Sequence, residues 1–193
     1  MGNQKSGSAF GWFLFVVGFA GALFVGWVVF PQVLYSSKTQ PFAFSHITHS
    51  ENGPAGLSCE ECHGFRDDGS YKGIPNLETC FDCHAELQGK SKAEKQFFME
   101  GRVLLEQGKE VDWLIYSKQP PCVYFSHAPH VELAQLECAA CHRDVANEKS
   151  PPVYKQNRIT GYSKYVFDKM KMDDCADCHT KSGTSNACFV CHK

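Results

Sequence analysis

The sequence predicts a mostly irregular fold with short α-helices, attached to one N-terminal transmembrane helix. Three observations predict it: 11 cysteines and 9 histidines among 193 residues, a cysteine motif that occurs five times, and an uncharged apolar run near the N-terminus. The balance of 19 Lys and Arg against 21 Asp and Glu excludes a polybasic nucleic-acid-binding protein. An aromatic content of 13% excludes an acidic disordered chain.

Ten of the cysteines lie in five C-x-x-C-H motifs, a spacing typical of c-type haem attachment. Two thiols three positions apart can form thioethers to one porphyrin, and the following His then binds the iron as proximal ligand. Zinc ribbons and disulfides do not require a His after every pair. The motifs therefore predict five haem c groups. They are Cys59, Cys62 and His63; Cys80, Cys83 and His84; Cys138, Cys141 and His142; Cys175, Cys178 and His179; and Cys188, Cys191 and His192.

Residues 10–30 form a run of 21 residues without a charged side chain. As a helix this run is about 31 Å long, which matches the hydrocarbon thickness of a bilayer. The apolar region of a cleaved signal peptide is shorter and ends in a small-residue cleavage site, so we expect an uncleaved, single-pass anchor in the cytoplasmic (inner) membrane. Thioether-bound haem is made outside that membrane, which places the C-terminal part in the periplasm. The predicted domains are 1–38, the cytoplasmic tip and anchor, and 39–193, the periplasmic multihaem domain.

The periplasmic part offers few residues for each haem. Residues 39–193 supply 155 residues for five haems, about 31 for each. At this ratio the cofactors take the place of an apolar core, because covalent and axial bonds hold the chain where packing does so elsewhere. Little regular secondary structure is needed, and the haems must lie close together.

The four remaining histidines occur in two F-S-H-x-x-H units. One unit contains His46 and His49, and the other contains His127 and His130. Each unit shortly precedes one haem motif, and a second motif follows, so the chain contains an internal repeat at about 42–84 and 123–192, with the motif at Cys188 added to the second half. Repeated spacing with the same flanking Phe and Ser predicts that all four are distal haem ligands.

The sequence has one histidine too few to fill every axial position of five haem irons. Five six-coordinate irons need ten axial ligands, and the sequence has nine histidines. Met172, three residues before Cys175, is the best-placed candidate for the tenth ligand. Met170, Met99, a Lys or an open position are the alternatives for this tenth ligand. The alternative role for Met172 itself is ordinary packing against a porphyrin, without a bond to the iron.

Cys122 has no partner in a C-x-x-C motif. It has three interpretations: a free buried thiol, a bond to a partner subunit, or the attachment of a sixth haem through a single thioether. Its place beside the second His pair favours the sixth haem, whereas the lack of a further His counts against it. The predicted number of haems is therefore five, or six.

These motifs together resemble a known group of proteins. The stretch from Gln40 to His49 with the motif after it, and the stretch from Trp113 to Val131, look like the membrane-anchored multihaem cytochromes of the class III and cytochrome c7-like type. That group includes the pentahaem subunit of alternative complex III and the cytochrome subunit of the quinone reductase complex of sulfate-reducing bacteria. The resemblance covers nearly the whole chain, and the small size and Cys122 favour the second of these.

The resemblance implies a class III-like multihaem cytochrome c domain and an electron-transfer role without catalytic residues. Such subunits lie beside a quinone-binding membrane subunit and periplasmic iron–sulfur and molybdopterin-oxidoreductase-like subunits. In the quinone reductase complex a soluble tetrahaem cytochrome donates electrons that end on menaquinone, and in alternative complex III the flow is reversed. Two other functions compete: a standalone membrane-anchored quinol dehydrogenase, and a multihaem reductase with an open catalytic haem.

Overall fold

The computed structural model of the chain describes residues 5–164 and 170–192. The first four residues of the predicted cytoplasmic tip lie outside the described residues. Helix α1 spans Lys5–Phe24 and continues through a π-helical turn, Val25–Val29, into α2, Phe30–Val33. The segment Ala9–Val33 has a mean hydropathy of 2.5 and no part of it is buried inside the protein, so it is long and apolar enough to cross a membrane. The predicted N-terminal apolar helix is therefore present.

The π-helical turn has a local cause in Pro31. Proline lacks an N–H, and its ring clashes with the carbonyl of the residue four positions earlier, here Trp27. The helix widens at this point, and the Phe30 N–H donates to the Val25 carbonyl five residues back. The backbone bonds are thereby kept within the helix, as an apolar bilayer requires.

Most of the remaining helices are short and coincide with the cysteine motifs. A 3₁₀ turn at Cys138–Ala140 covers the third motif, and a π-helical turn at Pro129–Leu133 follows the second F-S-H-x-x-H unit. The helices are α3, His46–His49; α4, Cys59–His63; α5, Leu77–Cys83; α6, Lys92–Glu106; α7, Met172–Lys181; and α8, Cys188–Cys191.

Helix α6 is the longest helix after the N-terminal one, and it packs on α5 through aromatic rings. The Ser91 hydroxyl caps α6 by accepting from the Glu94 N–H at 3.0 Å. Phe81 of α5 and Phe97 of α6 stack with centroids 5.4 Å apart. The Arg102 guanidinium lies 5.3 Å from the centre of the Phe81 ring, which adds a cation–π contact. This packing brings the start of α6 close to the end of the second motif.

Two short strands tie the end of the membrane helix to the second half of the chain. Strand β1, Tyr35–Lys38, pairs antiparallel with β2, Tyr154–Asn157, and Tyr35 lies opposite Asn157. The Arg158 N–H also donates to the Leu34 carbonyl at 2.8 Å. The domain boundary after residue 38 stays a prediction, and β1 links the segment just before it to residues 154–157.

The polypeptide does not build an apolar core of its own. Among the described residues, the buried hydrophobic side chains are Phe42, Leu77 and Tyr154. The chain exposes 14326 Å², whereas a compact protein of this mass exposes about 9,200 Å². The exposed membrane helix accounts for part of the difference. The predicted mostly irregular fold with short helices is confirmed.

A substitution at Gly53 tests the close packing of the chain at Gly53 against α3. A Cβ at Gly53 would collide with the Ile47 carbonyl oxygen, which belongs to α3. We therefore expect Gly53→Ala to lower the free energy of unfolding by roughly 3 kcal/mol, the upper end for overpacking. Gly69→Ala is the matched control, because Gly69 has open space around it and only a φ of +77°, which costs about 1 kcal/mol. Thermal unfolding in detergent compares the two, and equal melting of both variants contradicts the packing described here.

Candidate haem-binding sites

The two F-S-H-x-x-H units place their second histidine in the same way. The Nδ1 of His49 lies 2.8 Å from the Ser45 carbonyl oxygen, and the Nδ1 of His130 lies 2.8 Å from the Ser126 carbonyl oxygen. A carbonyl oxygen can only accept, so Nδ1 carries the proton in both rings and Nε2 keeps its lone pair. This is the arrangement that orients an imidazole for metal binding through Nε2.

The phenylalanine of each unit contacts both of its histidines. Phe44 stacks on His49 at 4.5 Å with 19° between the planes, and it meets His46 edge-on at 4.9 Å. A ring packed in this way restricts the rotation of both imidazoles. The corresponding contacts in the second unit are Phe125 with His130 at 4.8 Å and 30°, and Phe125 with His127 at 4.8 Å and 83°.

Three of these four histidines face a motif histidine, and the distance between the two ring centroids is nearly the same in each pair. Imidazole nitrogen binds a transition metal at about 2 Å. With each ring centre roughly 1 Å behind its nitrogen, two rings on opposite sides of one iron have centroids about 6 Å apart. The observed separations fit an iron between the rings. They are His49 to His84, 6.0 Å; His127 to His142, 6.4 Å; and His130 to His179, 6.2 Å.

The fourth histidine, His46, lies near His63 of the first motif. Burial lowers the pKa of His46, and the nearby His63 is the next largest cause. The Nδ1 of His46 is buried without a hydrogen-bond partner. In the second half the first histidine of the unit faces the nearer motif and the second faces the later motif. In the first half the second histidine, His49, likewise faces the later motif. Among the described residues, no imidazole faces His192 in this way.

The motif histidines are oriented mainly by backbone carbonyls. Such contacts leave Nε2 available, as in the distal units. Sequence reasoning missed these acceptors because a backbone carbonyl has no signature in the sequence. The Nδ1 contacts are His63 to the Gly73 carbonyl at 2.7 Å, His179 to the Ser185 carbonyl at 3.1 Å, and His192 to the Cys122 carbonyl at 3.1 Å.

His84 differs from these because it faces a carboxylate. Its Nδ1 lies 3.8 Å from Oε1 of Glu94, and the two side chains are 18% and 13% exposed. The same carboxylate oxygen accepts from the backbone N–H groups of Gln88 and Gly89, the latter at 2.7 Å. Glu94 is therefore held in place beside the motif histidine. The sequence contained no signal for this contact, which depends on the packing of α6 against α5.

Burial affects the protonation of four of the imidazoles. Desolvation lowers the pKa of four histidines, two in the F-S-H-x-x-H units and two in motifs. A lowered pKa keeps the ring neutral at neutral pH, which is the form that binds a metal. The four are His46, His84, His127 and His142.

The cysteines fit thioether attachment better than zinc. All eleven lie within the described residues and none is in a disulfide. Burial raises the pKa of the Cys80 thiol to about 11. Among residues 5–164 and 170–192, no group of three or more His, Cys, Asp or Glu side chains could hold a metal ion. The donors are instead arranged as facing imidazoles beside pairs of thiols.

The five motifs lie next to one another in an order that differs from the sequence. Burial is the main reason that the pKa values of several motif thiols are raised, and a neighbouring thiol of another motif adds to the effect. These electrostatic interactions put the motif at Cys80 near the motif at Cys59, which then adjoins the second half. The interacting thiols are Cys62 and Cys83, Cys138 and Cys59, Cys141 and Cys178, and Cys175 and Cys191.

Cys122 lies beside the last motif. Its carbonyl orients His192, and the N–H of Tyr124 donates to the Cys191 carbonyl at 2.8 Å. The Cys122 side chain is exposed, which does not support the interpretation as a buried free thiol.

Two further side chains bear on the sites: Met172, the candidate tenth ligand, and Tyr71, which contacts a distal histidine. Met172 begins α7 and is 69% exposed. The ring of Tyr71 stacks on His127 with centroids 3.9 Å apart and 23° between the planes. Nothing in the sequence pointed to Tyr71, because it comes from the other half of the chain.

Two family models match the chain, one in each half. Residues 29–104 match the class III cytochrome C family, and residues 123–193 match cytochrome c7 and related cytochrome c. Together with the facing histidines, these matches make the chain an electron-transport protein of the class III and cytochrome c7-like multihaem cytochromes, and the expected resemblance is confirmed.

A curated relative defines the family more closely. The chain is 42% identical over 194 aligned positions to the protein named "Menaquinone reductase, multiheme cytochrome c subunit" of Nitratidesulfovibrio vulgaris strain Hildenborough. The alignment covers 93% of this chain and 89% of the relative. The chain therefore belongs to the family of that subunit.

Proposed function

We propose that this chain is an electron-transfer subunit of a membrane-bound menaquinone reductase complex, and that it relays electrons through five c-type haems. The observation that carries the proposal is the facing of imidazole rings 6.0–6.4 Å apart, each pair beside its own pair of thiols. A bound haem supplies an iron that alternates between ferric and ferrous states. The chain supplies the ligands, the burial and the spacing.

The ten motif cysteines attach the haems. Each thiol adds its S–H across a vinyl group of the porphyrin, so sulfur bonds to one carbon and hydrogen to the other. At four sites two His side chains would then hold the iron, which would favour low reduction potentials relative to His/Met ligation. The ligand pairs are His46 with His63, His49 with His84, His127 with His142, and His130 with His179.

The fifth haem is the one attached at Cys188 and Cys191. Its proximal ligand is His192, and the nine histidines leave it without a distal imidazole. Met172 is the candidate distal ligand, since the motif that it precedes already has His130 and His179. An open position at this iron is the alternative, and it is the one feature that favours a reductase.

The alternative number of six haems would place one further haem at Cys122. It is exposed and lies next to the last motif, because its carbonyl contacts the Nδ1 of His192. A haem held there by one thioether would extend the series beyond the fifth haem.

The neighbouring thiols support an order for electron transfer. The order runs from the motif at Cys80 to those at Cys59, Cys138, Cys175 and Cys188. Each step joins adjacent haems, which is what rapid transfer between tethered cofactors requires. The relay therefore begins or ends at the haem whose proximal ligand is His84, beside Glu94.

The partners follow from the family. The relative is named as a subunit of menaquinone reductase, so we propose a quinone-binding membrane subunit and periplasmic iron–sulfur and molybdopterin-like subunits beside this chain. The helix Lys5–Val33 anchors it in the inner membrane with the haems in the periplasm. A soluble tetrahaem cytochrome is the proposed electron donor. Haem propionates would make the chain more acidic than its formal net charge of −2, which favours docking of a cationic partner.

The proposal is tested on the native complex. A tagged chain is purified from its own membranes in mild detergent, and electron transfer from a reduced tetrahaem cytochrome to a menaquinone analogue is measured. We expect the membrane and periplasmic subunits to co-purify and the complex to reduce the quinone. Recovery of the chain alone with quinol oxidation activity supports the standalone dehydrogenase instead, and a high-spin haem that binds a small oxyanion or nitrogen oxide supports the reductase.

Cys122→Ser tests the sixth haem. The variant is expected to lose the mass of one haem while it keeps the other five, since every C-x-x-C-H motif is intact. Intact-mass analysis and the pyridine haemochrome spectrum measure the number of haems before and after the substitution. Equal numbers of haems in the parent protein and the variant reject a haem at Cys122.

Glu94→Gln tests the carboxylate beside His84. The substitution removes a negative charge that favours ferric iron and leaves an oxygen that can still accept from the Gly89 N–H. We expect the midpoint potential of one haem to rise by roughly 50 mV. Glu100→Gln, on the same helix and exposed, is the control and should leave all potentials unchanged. Spectroelectrochemical titration that gives identical curves for the two variants rejects the assignment.

A further inference from the structure

The strand β2 and the residues after it form a hairpin that points back toward the membrane helix. Strand β2 runs antiparallel to β1, so its last residue, Asn157, lies opposite the first residue of β1, Tyr35. The chain then turns through residues 158–161 and returns. The Asn157 N–H donates to the Tyr162 carbonyl at 2.9 Å. The turn is therefore at the end of the hairpin that is nearest to the helix.

The turn is fixed in position by backbone and side-chain hydrogen bonds. The Arg158 N–H donates to the carbonyl of Leu34, the residue directly after α2, at 2.8 Å. The Asn157 side-chain oxygen accepts from the N–H groups of Ile159 and Thr160 at 2.9 and 3.0 Å. Gly161 closes the turn with a φ of +75°. If the helix crosses the bilayer as far as residue 33, this turn lies at the bilayer surface.

The composition of this region suits binding to a surface of anionic lipid. Ile159 at the tip is 75% exposed and Arg158 beside it is exposed. Lys164 is held close to the helix end by a cation–π contact with Tyr35 at 5.2 Å. Residues 34–40 and 149–164 contain no Asp or Glu in a chain with a net charge of −2. The basic residues there are Lys38, Lys149, Lys155, Arg158 and Lys164.

We propose that the turn at residues 158–161 is a second membrane-contact site, in which Ile159 enters the interfacial region and Arg158 and Lys164 bind the headgroups of anionic phospholipids. An apolar tip flanked by cationic side chains is the combination that binds such an interface. The inference rests on the proposed membrane anchor. Two contact points, the helix and the hairpin, fix the orientation of the haem domain against the bilayer.

Photocrosslinking of the full chain in phosphatidylglycerol nanodiscs tests the site. The photoreactive residue p-benzoylphenylalanine is placed separately at Ile159, at Phe24 in the membrane helix, and at Leu133, which is 82% exposed in the second half. Mass spectrometry then identifies the adducts. We expect lipid adducts at positions 159 and 24 and none at position 133.

The other outcomes separate this inference from the proposed anchor. A lipid adduct at position 24 without one at 159 overturns the second contact and leaves the anchor intact. No lipid adduct at position 24 overturns both. The same three probes in the native complex decide between lipid and protein, because an adduct between position 159 and a partner subunit overturns the lipid assignment.

Charge variants test the role of the basic residues. Arg158→Gln combined with Lys164→Gln is expected to lower the lipid adduct at position 159 by about threefold or more. Lys90→Gln combined with Lys92→Gln is the matched control, since both lysines are exposed and lie outside the hairpin. Replacement of phosphatidylglycerol by phosphatidylcholine should lower the yield in the same way. Unchanged yields in these two comparisons overturn the binding of anionic headgroups.

Discussion

The facing of imidazole rings across a gap of one metal ion is the constraint on which this structure depends. Each pair joins residues that are distant in sequence, as His130 and His179 show at 6.2 Å. With thioethers at the neighbouring cysteines, such pairs bind the chain across its width. The polypeptide therefore needs few buried apolar side chains, and the described residues bury three: Phe42, Leu77 and Tyr154.

The same constraint explains why the two halves look alike. In each half a phenylalanine packs against two histidines that lie on one helical turn, and the two imidazoles go to different motifs. In the proposed haem-bound protein, each unit would thus bring two irons close together. Two such halves meet at Cys59 and Cys138. In the proposed haem-bound protein this meeting would make four haems neighbours, and the motif at Cys188 would add a fifth at the end that contains Cys122. A row of close irons is suited to electron transfer and needs no substrate-binding cleft.

Much of this was predictable because covalent attachment imposes a fixed local spacing. The C-x-x-C-H motifs, the two F-S-H-x-x-H units and the apolar helix are all contained in short stretches of sequence. The facing of His130 and His179 was not predictable, because it depends on how distant segments meet. The positions of Glu94 beside His84 and of Tyr71 on His127 are also long-range contacts without a sequence signature. Pro31 was visible in the sequence, but its effect, the π-helical turn, came from the structure.

The central claim is that each facing pair of histidines holds one iron, and electron paramagnetic resonance of the oxidised protein tests it most directly. We predict low-spin ferric signals from four bis-His irons. The nearly parallel rings of His127 and His142, 8° apart, should give a rhombic signal, and the rings of His49 and His84, tilted by 50°, a more axial one. Oxidised protein that contains no low-spin ferric iron, or that contains zinc in its place, would contradict the account.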